Sequence, residues 1–328
     1  MRKLHLYFRI PPPSDRFISG DRYVLPAIRQ LVKGKKIGGI QKVFINLCKG
    51  LDELKVDYDV NLPFKKIQPG EPVVVLGSGR YALKDYSAPN KIIAGIALMT
   101  HPSEWPDLFE KYPVATYLQH SEWTRDLYAN HYGGDKCGIW PAGIDTKKWS
   151  PDSAASKQFD ILIYNKIMWN KQETYDKLAR PIIAKLEQLG LSYTEIVYGN
   201  YKEAEYFDLL NQSKAMVFLC EHESQGFACC EAMSMNVPVF AWDQGWYLDP
   251  HLETDWNEPK PLPASSVPFF DETCGMKFTD PNDFNEKIEG FWENVKAGTY
   301  HPRDYILQNL TLEKSAQAML DLVGTVYP

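Results

Sequence analysis

The sequence predicts an α/β protein of two Rossmann-like domains, each a parallel sheet with helices on both faces. Three observations predict it. The 328 residues exceed the roughly 100–200 of an ordinary single core. Short apolar runs alternate with helical patterns through the first half, which is β-α-β order. The alternation then restarts after a segment rich in turn residues.

In the first half the runs are Leu4 to Phe8, Ile40 to Leu51, Tyr58 to Leu62, Val73 to Leu76, Ile92 to Met99 and Val114 to Leu118. A segment from Trp105 to Tyr112, an amphipathic stretch from Ser121 to Tyr132 and a short run at Gly138-Ile139-Trp140 complete it. Strands that alternate with helices form parallel sheets covered on both sides. Pro141 to Asp152 collects the residues of a linker, so the expected domains are 1–150 and 151–310.

In the second half the strands are Asp160 to Tyr164, Glu195 to Tyr198, Ala215 to Cys220 and Val237 to Trp242. Helices are expected from about Gln172 to Leu189, over Lys202 to Asn211 and over Phe227 to Met235. Tyr247 to Pro268 has no period and reads as a loop or insertion. Helical patterns return at Pro281 to Val295 and Leu312 to Val323, the last with Thr311 as N-cap. That terminal helix, 311–328, is a candidate to pack back on the first domain.

Composition bounds the function. A net charge of -6 argues against nucleic acid, whose phosphates need clustered Lys and Arg. The basic segment Lys33-Gly34-Lys35-Lys36 reads as solvated loop charge. The loop Ile10 to Lys36 is a candidate contact for an acceptor or an anionic membrane surface, with an ordinary surface loop as the plainer reading. Six cysteines without a CxxC pair, a start without a signal-peptide pattern and no stretch of about 20 apolar residues lead to the expectation of a cytoplasmic protein.

The chemistry concentrates after the apolar run Ala215 to Cys220. In open α/β sheets ligands sit at the carboxyl ends of strands. Here that end carries Glu221-His222-Glu223-Ser224-Gln225-Gly226, followed by a helix whose first N–H groups suit an anion. Glu223 and Glu231 bracket the turn, and carboxylates accept hydrogen bonds from sugar hydroxyls. On spacing alone a solvated Glu231 and a Glu223 serving the helix dipole are the better reading.

Glu223-x7-Glu231, with Ala232-Met233 and Val237-Pro238-Val239 after it, resembles the signature of the family 4 retaining GT-B glycosyltransferases. The resemblance implies two Rossmann-like domains facing each other across a cleft, and a nucleotide-diphosphate sugar as co-substrate with no cofactor or metal. It gives Glu223 the donor sugar, Glu231 the ribose, and the backbone of Gly226 and Phe227 the donor. Ser224 and Gln225 fall inside the same donor-binding motif, Gln225 where the family usually has Phe. Lys166 and Lys171 are similar to the family's two diphosphate-binding cations, Lys166 in place of Arg. A lysine is a point charge rather than a planar fork. Two exposed loop lysines are the plain alternative.

Other matches follow in chain order. Ile37-Gly38-Gly39-Ile40 resembles the glycine loop that opens the first long helix, and His101 a histidine that faces the donor sugar. Gln119-His120-Ser121-Glu122 resembles a strand-to-helix turn. Pro141-Ala142-Gly143-Ile144-Asp145 resembles the family's linker, with Ala142 in place of Asn. Tyr198-Gly199-Asn200 falls where the nucleobase pocket begins, and Cys274-Gly275-Met276-Lys277-Phe278 resembles a late segment of the donor domain. The implied reaction is sugar transfer to a glycan, lipid-linked or small-molecule hydroxyl with retention of configuration. A GT-B epimerase or phosphorylase and a non-catalytic nucleotide-sugar or glycan-binding protein are the alternatives. Asp57-Tyr58-Asp59, Gly77-Ser78-Gly79-Arg80 and the tryptophans at 242 and 246 are weaker signals.

Overall fold

A computed structural model describes residues 3–11, 38–258 and 261–328. The Lys33 to Lys36 segment, Ile37 and nearly all of the loop from Ile10 to Lys36 lie outside the described residues. The chain divides into two compact units. Unit 1 comprises residues 1–119, 125–140 and 315–328, and unit 2 comprises 120–124 and 141–314. Pro141 to Asp152 thus belongs to unit 2.

Among the described residues unit 1 holds six parallel strands: β1 Leu4–Tyr7, β2 Tyr58–Val60, β3 Val73–Ser78, β4 Ile92–Ala97, β5 Val114–Gln119 and β6 Cys137–Ile139. Their order is β2-β1-β3-β4-β5-β6. The central strands are buried on both faces, which is why Val73 to Leu76 reads as an unbroken apolar run. Helix α1 (Gly39–Glu53) buries Val43, Asn46, Leu47, Gly50 and Leu51, the three- and four-residue spacing of one helical face. Trp140 donates its indole N–H to the Ser315 carbonyl at 2.9 Å. The Tyr327 hydroxyl meets the Lys91 carbonyl.

Among the described residues unit 2 holds five parallel strands: β7 Phe159–Lys166, β8 Tyr193–Val197, β9 Ser213–Cys220, β10 Val239–Trp242 and β11 Gly275–Phe278. They run in the order β11-β10-β9-β7-β8. The first strand of the unit lies between the second and third, so the order reverses at β7/β9, the switch point where such sheets bind ligands.

Helices α2 (Arg180–Gln188) and α5 (Pro281–Ala297) pack on one apolar core with Phe240 and Phe278. Helices α3 (Glu203–Gln212), α4 (Phe227–Ser234) and α6 (Pro302–Asn309) enclose a second core, with Tyr164 and Phe218. Ahead of α2 the helix opens into a π turn at Tyr175–Ala179. Pro181 follows it and has no N–H to give a preceding carbonyl, so the regular ladder is interrupted there. Helix α7 (Leu312–Val326) is capped as its sequence predicts, with Lys314 N–H on the Thr311 hydroxyl at 3.3 Å.

The described residues of the aperiodic stretch after β10 are folded. Tyr247 N–H donates to the Leu262 carbonyl at 2.8 Å, and Trp246 pairs with Pro263 in an antiparallel bridge. Asp243 then fixes the return, accepting from the Ser265 hydroxyl at 2.9 Å and the Ser266 N–H at 3.1 Å. Among the described residues no helix is long and apolar enough to cross a membrane.

Candidate functional site

Strands β7 and β9 run in register, Lys166 opposite Cys220, so both end at the same level. Lys166 stands at the carboxyl end of one, and Glu221, His222 and Glu223 leave the other. The Lys166 ammonium contacts the Glu223 carboxylate, and the two side chains keep only 18% and 14% of their exposure. Burial alone pushes the Lys166 ammonium down. The Glu223 carboxylate, with Cys220 and Tyr198, more than offsets it, and the net shift is upward. The Tyr198 ring lies under the same ammonium at 4.7 Å.

The backbone of Glu223 is held at both ends. Its N–H donates to the Ser265 carbonyl at 2.9 Å, and its carbonyl accepts from the Trp123 indole at 3.0 Å. Gly226 then takes a left-handed conformation, φ 69° and ψ 49°, and caps α4. Glycine meets that requirement without the Cβ penalty. Phe227, the first residue of α4, is half-buried against the second core, and Ser224 is half-buried. Glu231 is buried, 4% exposed, so it is no solvated helix residue.

Gln225 is engaged by the backbone of Ala142. Its side chain is buried, its oxygen accepting from Ala142 N–H at 2.8 Å and its nitrogen donating to the Ala142 carbonyl at 3.2 Å. Both polar ends engage backbone, so this side chain fastens the linker segment.

The two-lysine loop divides in character. Lys166 is nearly enclosed, whereas Lys171 is exposed and makes no ion pair among the described residues. Asn170, left-handed at φ 45°, turns the chain into the helical segment that Lys171 begins. Gly199 sits at φ 88° in an exposed turn after β8, closed by Asn200 N–H on the Val197 carbonyl at 3.0 Å.

Sequence reasoning gave no role to two neighbours of Glu223. Glu221 is 5% exposed and accepts from Met168 N–H at 2.9 Å and Trp169 N–H at 3.1 Å. Burial raises its carboxyl above the usual range, partly countered by those N–H groups and by Lys166. The His222 ring packs on Tyr247, centroids 4.1 Å apart, and edge-on to Trp123 at 5.7 Å. Burial and then Lys166 push its imidazole down to about 4, so it is neutral at pH 7. The signal that could have found Glu221 is a carboxylate directly following a fully buried strand at the switch point.

Gly38, Gly39 and His101 lie in unit 1. Gly38 caps α1, with Lys42 N–H on its carbonyl at 2.9 Å, and a Cβ added at Gly38 or Gly39 would meet nothing within 4 Å. His101 Nδ1 accepts from Ser103 N–H at 3.3 Å and lies 2.7 Å from the Ser103 hydroxyl, capping a short turn. That contact places the proton of a neutral ring on Nε2. Asp57 and Asp59 flank Lys3 at 3.8 and 3.1 Å, an ordinary edge-strand arrangement. Trp242 is buried with its indole N–H on the Thr279 carbonyl at 3.0 Å, and Trp246 is exposed.

No protein-family model and no curated protein matches the chain. Solved structures do. A mutant of S. aureus TarM, in complex with fondaparinux, alpha-GlcNAc-glycerol and UDP, superposes with a TM-score of 0.57 at 12% identity, over 86% of this chain and 58% of its own. The apo lipopolysaccharide outer core galactosyltransferase WaaB gives 0.53 at 10% identity, over 99% of this chain and 100% of its own. The chain has the GT-B fold. The GtfA/B complex gives 0.53 at 14% identity over 80% of this chain. The chain spans 58% of the length of the GtfA/B and TarM chains it matches.

Proposed function

We propose that this chain is a retaining, metal-independent glycosyltransferase that moves a sugar from a nucleotide-diphosphate donor to an acceptor hydroxyl. One observation carries the reading. A cation, Lys166, and a carboxylate, Glu223, meet at the β7/β9 switch point beside the left-handed Gly226 that opens a helix. Diphosphate needs the first and sugar hydroxyls the second.

Lys166, Lys171 and the N–H groups at the start of α4 take the charge that builds as the bond from the anomeric carbon to the diphosphate oxygen breaks. The bonding pair leaves with that oxygen. The acceptor hydroxyl adds on the same face and yields its proton to the departing phosphate, which accounts for retention. Removing one such stabilising donor costs about 10²–10³ in rate. Glu223 holds the sugar and Glu231 the ribose, and the Gly199 turn borders the base. His101, Gly38 and Gly39 keep the donor-facing roles that the resemblance gives them.

TarM is seen with UDP and WaaB is a galactosyltransferase, which makes UDP-sugars the first donors to test and glycans the first acceptors. Lipid-linked and small-molecule acceptors are included in the proposal, as are a cytoplasmic location and peripheral contact with the inner membrane face.

The test is a thermal-shift screen against UDP, GDP, ADP, CMP and dTDP sugars, repeated with Glu231→Ala. A selective shift lost in the variant supports the donor site. No shift with any donor sinks it. NMR of the product then reads the anomeric configuration, and an inverted product overturns retention.

A further inference from the structure

The loop between the two candidate cations is only four residues, Ile167 to Asn170. Three of its N–H groups are aimed inward and taken. Ile167 donates to the Asn165 side chain at 3.1 Å, and Met168 and Trp169 donate to Glu221. Consecutive N–H groups turned to one side form a nest that attracts an anion. Here the anion is built in: Glu221, on the segment leaving β9, is 53 residues from Met168. At the loop's end Thr174 ties back, its N–H on the Asn170 carbonyl at 2.9 Å and its hydroxyl on the Trp169 carbonyl at 3.1 Å. The loop therefore has one shape, and that shape sets where Lys171 stands relative to Lys166.

We propose that Glu221 is a positioning residue for donor binding: its carboxylate holds the loop so that Lys166 and Lys171 close on one diphosphate. The inference rests on the reading that these lysines take the donor's phosphates. Glu221 itself touches no substrate. It acts through Met168 and Trp169, and a diphosphate cannot occupy the N–H groups it fills.

Chemistry sets the expected pattern of variants. Alanine removes the acceptor and leaves two N–H groups of the loop without their partner. Glutamine keeps the oxygen that both N–H groups share but turns an NH2 toward the Met168 N–H, which also reaches the second oxygen, so it holds the loop in part. Protonation of Glu221 resembles the glutamine case, because a carboxylic acid accepts less well than a carboxylate. Donor affinity in the unaltered chain should fall as pH drops through the raised carboxyl range. Lys166 and the two N–H groups oppose that protonation. Glu173, Lys177 and Asp280, which with Glu221 line a cavity of about 350 Å³, the chain neighbours Cys220, His222 and Glu223, and His251 edge-on to the Trp169 ring are other charged or titratable groups near it.

The experiment is titration calorimetry on the full chain with UDP-glucose, GDP-mannose and ADP-glucose, continued with whichever binds most tightly. Their diphosphate diesters carry no group that titrates between pH 5 and 8. Glu221→Ala is expected to weaken binding by about 10-fold and Glu221→Gln by about 3-fold, in line with the loss of charged hydrogen bonds. In a Lys171→Met background the Glu221→Ala effect should shrink to less than about twofold, since neighbours acting as a unit are not additive. The pH dependence below neutrality should flatten in Glu221→Gln. Circular dichroism confirms that each variant is folded. Unchanged affinity in a folded Glu221→Ala, or the same 10-fold loss with and without Lys171, overturns the positioning role and leaves the donor site standing. If none of the three donors binds the unaltered chain, both fall.

Discussion

In the absence of donor, Lys166 and Glu223 contact each other, so the carboxylate competes with a phosphate for the same ammonium. Glu223→Gln tests this directly, because it keeps the shape and removes the charge that occupies Lys166. Two unit charges about 4 Å apart near a protein surface attract by about 4 kcal/mol before desolvation. With side-chain exposures of 18% and 14% the pair is neither free in water nor sealed, and desolvation cancels much of that attraction. A net hold of about 1–2 kcal/mol remains, which is about 5- to 30-fold in an equilibrium. Sodium pyrophosphate, which has no sugar to lose, should therefore bind Glu223→Gln about 5- to 30-fold more tightly than the unaltered chain by calorimetry at fixed ionic strength. A nucleotide sugar should show no such gain, because its hydroxyls lose the carboxylate. Removing any negative charge near an anion helps somewhat. In Lys166→Met the Glu223→Gln gain should drop to about twofold, the scale of a screened charge. Equal or weaker pyrophosphate binding in Glu223→Gln would refute competition between Glu223 and the phosphate for Lys166.

Two further perturbations follow from the same site. Gly226→Ala should cost about 1–2 kcal/mol of unfolding free energy in urea, from the left-handed backbone alone, since the new Cβ would meet its neighbours at 3.6 Å or more. A cost below about 0.5 kcal/mol would mean that the turn relaxes freely. The His222 imidazole is held near 4, below its ordinary 6.5, so the folded state favours the neutral ring. Stability from this residue is complete above 6.5 and is lost as pH falls toward 4, by about 3 kcal/mol at most. His222→Phe should flatten the urea-derived stability curve across that window, and an unchanged slope would show that another group titrates there.

The fold was readable because both sheets are parallel and enclosed, which writes each strand as an apolar run and each crossover as a helical period. The places of Glu223 and Lys166 at neighbouring strand ends were readable as well, since both follow such runs. Glu231 was ambiguous for a physical reason. Six of the eight residues of α4, Glu231 among them, are buried, so there is no polar face to compare it with. The stretch after Trp242 had no period because its shape comes from Asp243 and not from its own repeat. The place of Glu221 after a buried strand was legible, but its role was not, because its partners are backbone N–H groups of a distant loop and sequence carries no mark of which N–H groups lack a mate.

Gln225 and Ala142 make the same point from the other side. Taken singly, each is a departure from the family pattern, and each counts against the resemblance. In the folded chain they are partners 83 residues apart, the amide of one closing on both backbone groups of the other. Ala142 is buried, so its N–H and carbonyl need that amide. The same segment is fastened further on, where the Ser234 hydroxyl at the end of α4 donates to the Trp149 carbonyl at 2.6 Å and Arg303 donates to Trp149 and Thr146 at 3.0 and 3.1 Å. The loop that carries Glu223 is thus tied at Gln225 to the segment where the chain enters unit 2. Gln225→Met preserves length and most of the volume but neither hydrogen bond. It should cost about 2–4 kcal/mol in urea unfolding, the penalty for leaving two buried backbone groups unpaired. It should also weaken donor binding, because the turn between Glu223 and Gly226 loses its anchor. Gln225→Phe, the family's usual residue, should be no better, since an aromatic ring offers Ala142 nothing. If either variant stayed within about 0.5 kcal/mol of the unaltered chain, the two departures would be independent substitutions and not a compensated pair.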